Sequence, residues 1–113
     1  MPQSIQDIIA LYVKKVEAIY GKHLRQIILF GSYARGDYHE DSDIDIMILL
    51  NLSDTEIKNF RHKLSDLTFE FNMDHDLDIK PIAKNEDHFY KWVEAYPFYS
   101  SVNKEGVRLY AAA

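Results

Sequence analysis

The feature that most constrains this chain is the segment from Gly31-Ser32 to Asp43-Ile44-Asp45, set between two apolar runs. Ile27-Ile28-Leu29-Phe30 leads into it and Ile46-Met47-Ile48-Leu49-Leu50 leads out. Short apolar runs of this kind, bounded by turn residues, read as strands. One strand therefore ends in a Gly-Ser turn, and the next opens on two alternating aspartates. Side chains two apart on a strand share a face. Asp43 and Asp45 are thus expected to point the same way, with Ile44 and Ile46 turned into the core.

Two carboxylates on one strand face, about 7 Å apart at the Cα by strand rise, repel each other and invite a cation. Aspartate oxygens with no cysteine nearby suit a hard ion such as Mg²⁺. A pair of such ions about 3.5–4 Å apart is the arrangement that clamps a phosphoryl displacement. The turn supplies the complementary half. Gly31 lets backbone approach a phosphate closely, and N–H groups at a following helix start can hold an anion. Arg35, in the same loop, carries a guanidinium suited to a phosphate oxygen.

Composition narrows the setting. At 113 residues and 47% hydrophobic content the chain is expected to be one folded domain, 1–113. The absence of cysteine excludes disulfides, thiolate-bound zinc and a thiol nucleophile. No basic segment followed by an apolar stretch marks a signal peptide, and no run approaches the roughly 18 apolar residues of a membrane span. A cytoplasmic protein is expected, with Asn51-Leu52-Ser53 an accidental sequon. The net charge of −5 and the lack of a Lys/Arg cluster argue against a nucleic-acid template.

Along the chain, Ser4 to Tyr20 reads as a helix, with Ser4 as N-cap and Gly21 as its end. Ile5, Ile8, Ile9, Tyr12, Val13, Val16 and Ile19 form its apolar stripe. Strand one spans about Gln26 to Phe30, a short helical turn follows near Tyr33–Arg35, and strand two runs from Asp43 to Leu50. Ser53-Asp54-Thr55-Glu56 is a capping-box pattern. It opens a helix with Ile57, Phe60, Leu64, Leu67 and Phe71 on one side and a break at Asn72 to His75. The alternation in Asp76-Leu77-Asp78-Ile79-Lys80-Pro81-Ile82 reads as strand three, with Pro81 marking its end or an edge position. A helix from about Asn85 to Ala95 and a further turn after Pro97 complete an αβαβαβα order. The polar face of the strands is expected to carry the site and the apolar face to meet the helices.

Gly-Ser, ten intervening residues and Asp-x-Asp resemble the signature of the DNA polymerase beta-type nucleotidyltransferase superfamily. Within it the chain resembles the minimal nucleotidyltransferases, the MNT or MntA-like proteins. The likeness spans roughly residues 20 to 110. It implies an α/β (α+β) nucleotidyltransferase fold built on a small mixed sheet. It also implies an ATP donor, two Mg²⁺ ions and a HEPN-domain toxin partner silenced by adenylylation of a tyrosine. In the family a third carboxylate comes from the strand after the long helix, between apolar neighbours. Leu77-Asp78-Ile79 matches that pattern and is preferred to Asp76, which shares its face. Asp43, Asp45 and Asp78 are thus the expected catalytic and metal-binding residues, and Gly31, Ser32, Arg35 and Ser42 the nucleotide-binding ones. Many members carry Arg where this chain has Tyr33, so one cationic contact is missing.

Each residue also has a plainer reading. Ser32 is turn chemistry or a phosphate ligand. Ser42 caps the turn into strand two or touches the triphosphate. Arg35 and Lys80 are phosphate partners or surface charges, and His39 a substrate contact or a loop histidine. Asp41, Asp43 and Asp45 mimic an EF-hand opening, but the sixth and twelfth positions hold Ile46 and Leu52. Gly31-Ser32 lacks the Gly-Lys-Ser/Thr of a P-loop. The aromatic group Phe89, Tyr90, Trp92, Tyr96, Phe98 and Tyr99 reads mostly as core, any exposed part being a partner surface. Two further functions remain open: transfer to a small molecule, and sequestration of a toxin without catalysis.

Overall fold

The apolar run after the aspartates forms β2, Ile44–Leu50, which is buried at every position except Asp45. Burial on both faces of a strand requires neighbours on both sides and cover above and below. In the computed structural model, which describes residues 1–113, β1 (Leu24–Phe30) pairs with β2 antiparallel. β3 (Ile79–Asn85) pairs with β2 in parallel. A fourth strand, β4 (Val107–Ala111), pairs antiparallel with β1. The sheet is mixed, in the order β3-β2-β1-β4.

One face of the sheet carries Ile27, Leu29, Ile44, Ile46, Ile48 and Leu50. It packs against α1 (Gln3–Tyr20) and α4 (Arg61–His75), whose Tyr12, Val16, Leu64 and Phe71 join the same core. The other face carries Ile28, Met47 and Leu49. Phe89 of α5 (Glu86–Trp92) and Tyr99 and Val102 of α6 (Pro97–Glu105) cover it. The expectation of one polar and one apolar sheet face is therefore wrong: both faces meet helices. Only the end of the second face, at Asp45, stays open. Each fully buried aliphatic side chain contributes about 1.5–3 kcal/mol, so β2 is the energetic spine of the molecule.

Several boundaries differ from the sequence expectation, each for a local reason. Ser4 lies inside α1 and not at its cap; Pro2 takes that position, and its carbonyl accepts the first helical bond from Gln6 N–H. Gly21 does end α1, at φ 55°. A short helix α2, Ser32–Arg35, follows β1 as expected. The capping box opens α3 (Asp54–Asn59) with both reciprocal bonds formed between Ser53 and Glu56. This helix stops at Phe60, whose ring packs against Tyr20, and α4 starts at the next residue.

Asn72 to His75 is not a break. α4 runs through it and ends at Asp76, the one non-glycine residue with positive φ. Strand three accordingly begins at Ile79, not Asp76, and continues past Pro81 to Asn85. Pro81 is tolerated because β3 is an edge strand. The start of that strand is held by a side chain: Asn72 Nδ2 donates to Ile79 O at 3.1 Å, and Ile79 N–H donates to Asn72 Oδ1 at 2.9 Å. After α5, shorter than expected, the turn at Pro97 grows into the nine residues of α6.

Candidate active site

The C-terminal end of β1, the start of β2 and the approach to β3 meet at one end of the sheet. Gly31 leaves β1 at φ 76° and accepts the N–H groups of Ala34 and Arg35, closing α2 within one turn. The N–H groups of the first helical residues have no helical acceptor. Gly36, at φ 87°, turns the chain back. Tyr33 and Tyr38 stack at 4.4 Å and 7° across that turn, so the loop after it is clamped.

The loop leads to Asp43, one residue before β2, and then to Asp45 within it. The two carboxylates lie at the same cavity, as the strand alternation requires. Ile44 N–H donates to Asp78 O at 2.9 Å, and Ile44 pairs with Ile79. This parallel register carries Asp78 alongside Asp43 and sets Lys80 opposite Asp45. Lys80 Nζ lies 3.0 Å from Asp43 Oδ2 and 4.0 Å from Asp78 Oδ2.

The electrostatics follow from this crowding. Asp43 is held below the usual carboxylate range, first by a hydrogen bond with the Asp78 carboxyl and then by Lys80. The same contact with Asp43 pushes Asp78 up. Asp45 is also raised, first by burial and then by the charge of Asp43. Three carboxylates with opposed shifts and one ammonium among them form a site short of positive charge. No group of three acidic or histidine side chains is drawn together at metal-binding separation; the ammonium of Lys80 lies between Asp43 and Asp78. Carboxylate oxygens are the donor type that a hard divalent cation such as Mg²⁺ takes.

A cavity of about 520 Å³ opens beside the acid pair. Gly31, Ser32, Arg35, Ser42, Asp43 and Asp45 line it, together with Asp37 and His39. Asp78 lies on its far side, in an adjoining cleft of about 330 Å³ that it shares with Asp76 and Ser42. The fold thus brings all seven expected site residues to one end of the sheet. Asp76 sits at the helix cap, with positive φ.

Two of the seven have local partners as well. Ser42 Oγ accepts His39 N–H at 2.9 Å, which is the turn-capping reading. Arg35 pairs with Asp37 at 3.3 Å and with Glu105 of α6 at 3.5 Å. Nothing in the sequence marks Glu105 as a partner of Arg35, or Phe30 and Phe98 as cavity wall. Phe98 lay in the aromatic group already noted, but nothing in its spacing separates a core ring from a site ring.

Residues 9–108 match the nucleotidyltransferase domain family. A protein of Methanocaldococcus jannaschii, MJ0141, provisionally named a protein adenylyltransferase, is 34% identical over 105 residues, covering 93% of this chain and 98% of that one. A nucleotidyltransferase structure from Sulfolobus solfataricus, also provisionally named, superposes with a TM-score of 0.60 at 21% identity, over 98% of this chain and 89% of the other. The MNT antitoxin fold recurs in a complex with a tri-AMPylated Shewanella oneidensis HEPN toxin. That match has a TM-score of 0.56 at 21% identity, over 95% of this chain and 72% of the other. The chain belongs to the nucleotidyltransferase domain family, as one of its minimal members, and is a nucleotidyltransferase.

Proposed function

We propose that this chain moves an adenylyl group from ATP onto a tyrosine hydroxyl of a HEPN-domain toxin and so acts as its antitoxin. The observation that carries the reading is that Asp43 and Asp45 line the Gly31-Ser32 cavity while the parallel register of β2 and β3 brings Asp78 alongside Asp43. The names of similar proteins support the acceptor: MJ0141 is a provisional protein adenylyltransferase, and the Shewanella complex holds an AMPylated toxin.

In this reading Gly31, Ser32 and Arg35 receive the triphosphate, and Ser42 keeps its loop in place beside it. Asp43, Asp45 and Asp78 would hold two Mg²⁺ ions. Such ions supply charge stabilisation to the entering and leaving oxygens of an in-line displacement. The acceptor oxygen forms a bond to the α-phosphorus as the bond to the bridging oxygen breaks, and pyrophosphate departs. Asp78 takes the proton from the acceptor hydroxyl. Lys80 exchanges its carboxylate partners for phosphate oxygens as nucleotide binds.

The test is intact-mass spectrometry of a HEPN-domain protein encoded beside this chain, after incubation with it, Mg²⁺ and each nucleoside triphosphate in turn. An added nucleotidyl mass with ATP, lost in the Asp43→Ala/Asp45→Ala variant, supports the reading. A stable complex with no mass gain would replace it by sequestration. Neither complex nor gain would redirect the search to small-molecule acceptors.

A further inference from the structure

The cavity beside the acid pair has two chemically different walls. Of its ten lining residues only Phe30 and Phe98 are apolar. The rest are the turn glycine, hydroxyls, a histidine, an arginine and carboxylates. Phe30 is the last residue of β1, opposite Asp45, and packs into the core beneath α6. Phe98 stands against it edge-on, with ring centroids 5.6 Å apart and planes at 75°.

Phe98 is not a core residue. Tyr99 and Val102 bury the inner side of α6, while Phe98 remains 44% exposed. Its position is nevertheless fixed. Pro97 starts the helix one residue earlier, and Phe30 and Tyr99 flank the ring, the latter at 6.0 Å. A single exposed ring on a protein surface needs no explanation. A held ring, left open inside an otherwise polar and charged cavity, does.

A nucleoside triphosphate has the same two-sided chemistry. The triphosphate is satisfied by backbone N–H groups, a guanidinium and cation-bearing carboxylates. The base is flat and weakly hydrated, and it gains from an aromatic face. We infer that Phe98 is the stacking platform for the base of the donor nucleotide. The inference rests on the nucleotidyltransferase reading and adds to it how the donor is selected. Stacking accepts any base, since every base has a π-face, and favours the larger ring system. Purine nucleotides are therefore held more tightly than pyrimidine nucleotides, through ring area and not through a hydrogen-bond pattern.

Titration calorimetry with the full chain, Mg²⁺ and two probes tests this. One probe is ATP; the other is inorganic tripolyphosphate, which has the charge but no base. Phe98→Ala is expected to weaken ATP roughly ten-fold or more, leave tripolyphosphate unchanged and shrink the ATP-over-CTP preference. Phe98→Leu, which keeps apolar bulk against Phe30, must lose ATP affinity as well, and Phe98→Trp must keep it. Unchanged ATP affinity in Phe98→Ala and Phe98→Leu would overturn the inference while leaving the transfer reaction standing. So would an equal loss of tripolyphosphate, or a loss confined to the Michaelis constant of the protein acceptor, which would place an acceptor ring on Phe98 instead. A parent protein that binds neither probe would overturn both the inference and the reading beneath it.

Discussion

Gly31 and the carboxylate of Asp45 share one small space: a Cβ built on Gly31 would run into Asp45 Oδ2. The turn residue and the acidic residue are thus a single unit, fixed by the pairing of Phe30 with Asp45 across β1 and β2. Gly31→Ala therefore strains a backbone at φ 76° and ψ −154° by about 1–3 kcal/mol and displaces Asp45. The expected result is a protein that still folds, melts about 4–8 °C lower per kcal/mol lost, and transfers nucleotide about 10²-fold more slowly. Circular dichroism melts and a transfer assay on one preparation check both halves. Full activity in Gly31→Ala would separate the two residues.

Asp45 is held at a disadvantage to the fold. Burial and the charge of Asp43 raise its pKa, so its folded state binds a proton more tightly than its unfolded state. Such a group favours folding at pH values below its unfolded pKa and loses that contribution as pH rises through the folded value. At neutral pH the ionised Asp45 therefore opposes folding. Asp45→Asn should melt higher than the parent at pH 7, and the gap should close as pH falls through the carboxylate range near about 3.9. Transfer should fall by about 10²–10³. A lower melting point for Asp45→Asn at pH 7 would contradict the assignment.

Tyr12 and Thr68 join α1 to α4 through one buried bond, hydroxyl to hydroxyl, at 2.7 Å. Tyr12→Phe leaves Thr68 without a partner and is expected to lose about 1–3 kcal/mol in urea unfolding, most of it recovered in Tyr12→Phe/Thr68→Val. Burial raises the Tyr12 pKa to about 12. Its contribution is therefore complete below about 10, its unfolded value, and declines as pH climbs from there towards about 12. The parent should lose more stability over that interval than Tyr12→Phe does.

The capping box of α3 gives the opposite pH dependence. Ser53→Ala should destabilise by about 1 kcal/mol. Hydrogen bonds from the Ser53 backbone and side chain hold Glu56 below its usual range. A lowered folded pKa gives stability that is present above the unfolded value and disappears as pH falls through the folded one. The difference in melting point between the parent and Glu56→Gln should be largest at neutral pH and vanish well below about 4.3.

What could be read in advance was local. The stripe of α1, the capping box, the turn at Gly31 and the acid pair each depend on residues a few positions apart. The errors came where distant partners decide. Asn72-Met73-Asp74-His75 has poor helix formers, yet it stays helical because the Asn72 amide is engaged by Ile79. Val107-Arg108-Leu109-Tyr110 is too short and half-polar to announce a strand, and becomes one by pairing with β1. Met47 and Leu49 look like any apolar run until α5 and α6 fold over them. The approach of Asp78 to Asp43 depends on a parallel pairing that no local pattern encodes.

The Asn72 amide has one more consequence. It bonds both the N–H and the carbonyl of Ile79, as a neighbouring strand would, and so acts as a ruler between the end of α4 and the start of β3. Side chains alternate on a strand, so a slip of one residue turns every one of them over. Adding or deleting a single residue between Asn72 and Ile79 would swing Asp78 and Lys80 away from Asp43 together. In this protein a length change at the end of α4 is equivalent to an active-site mutation.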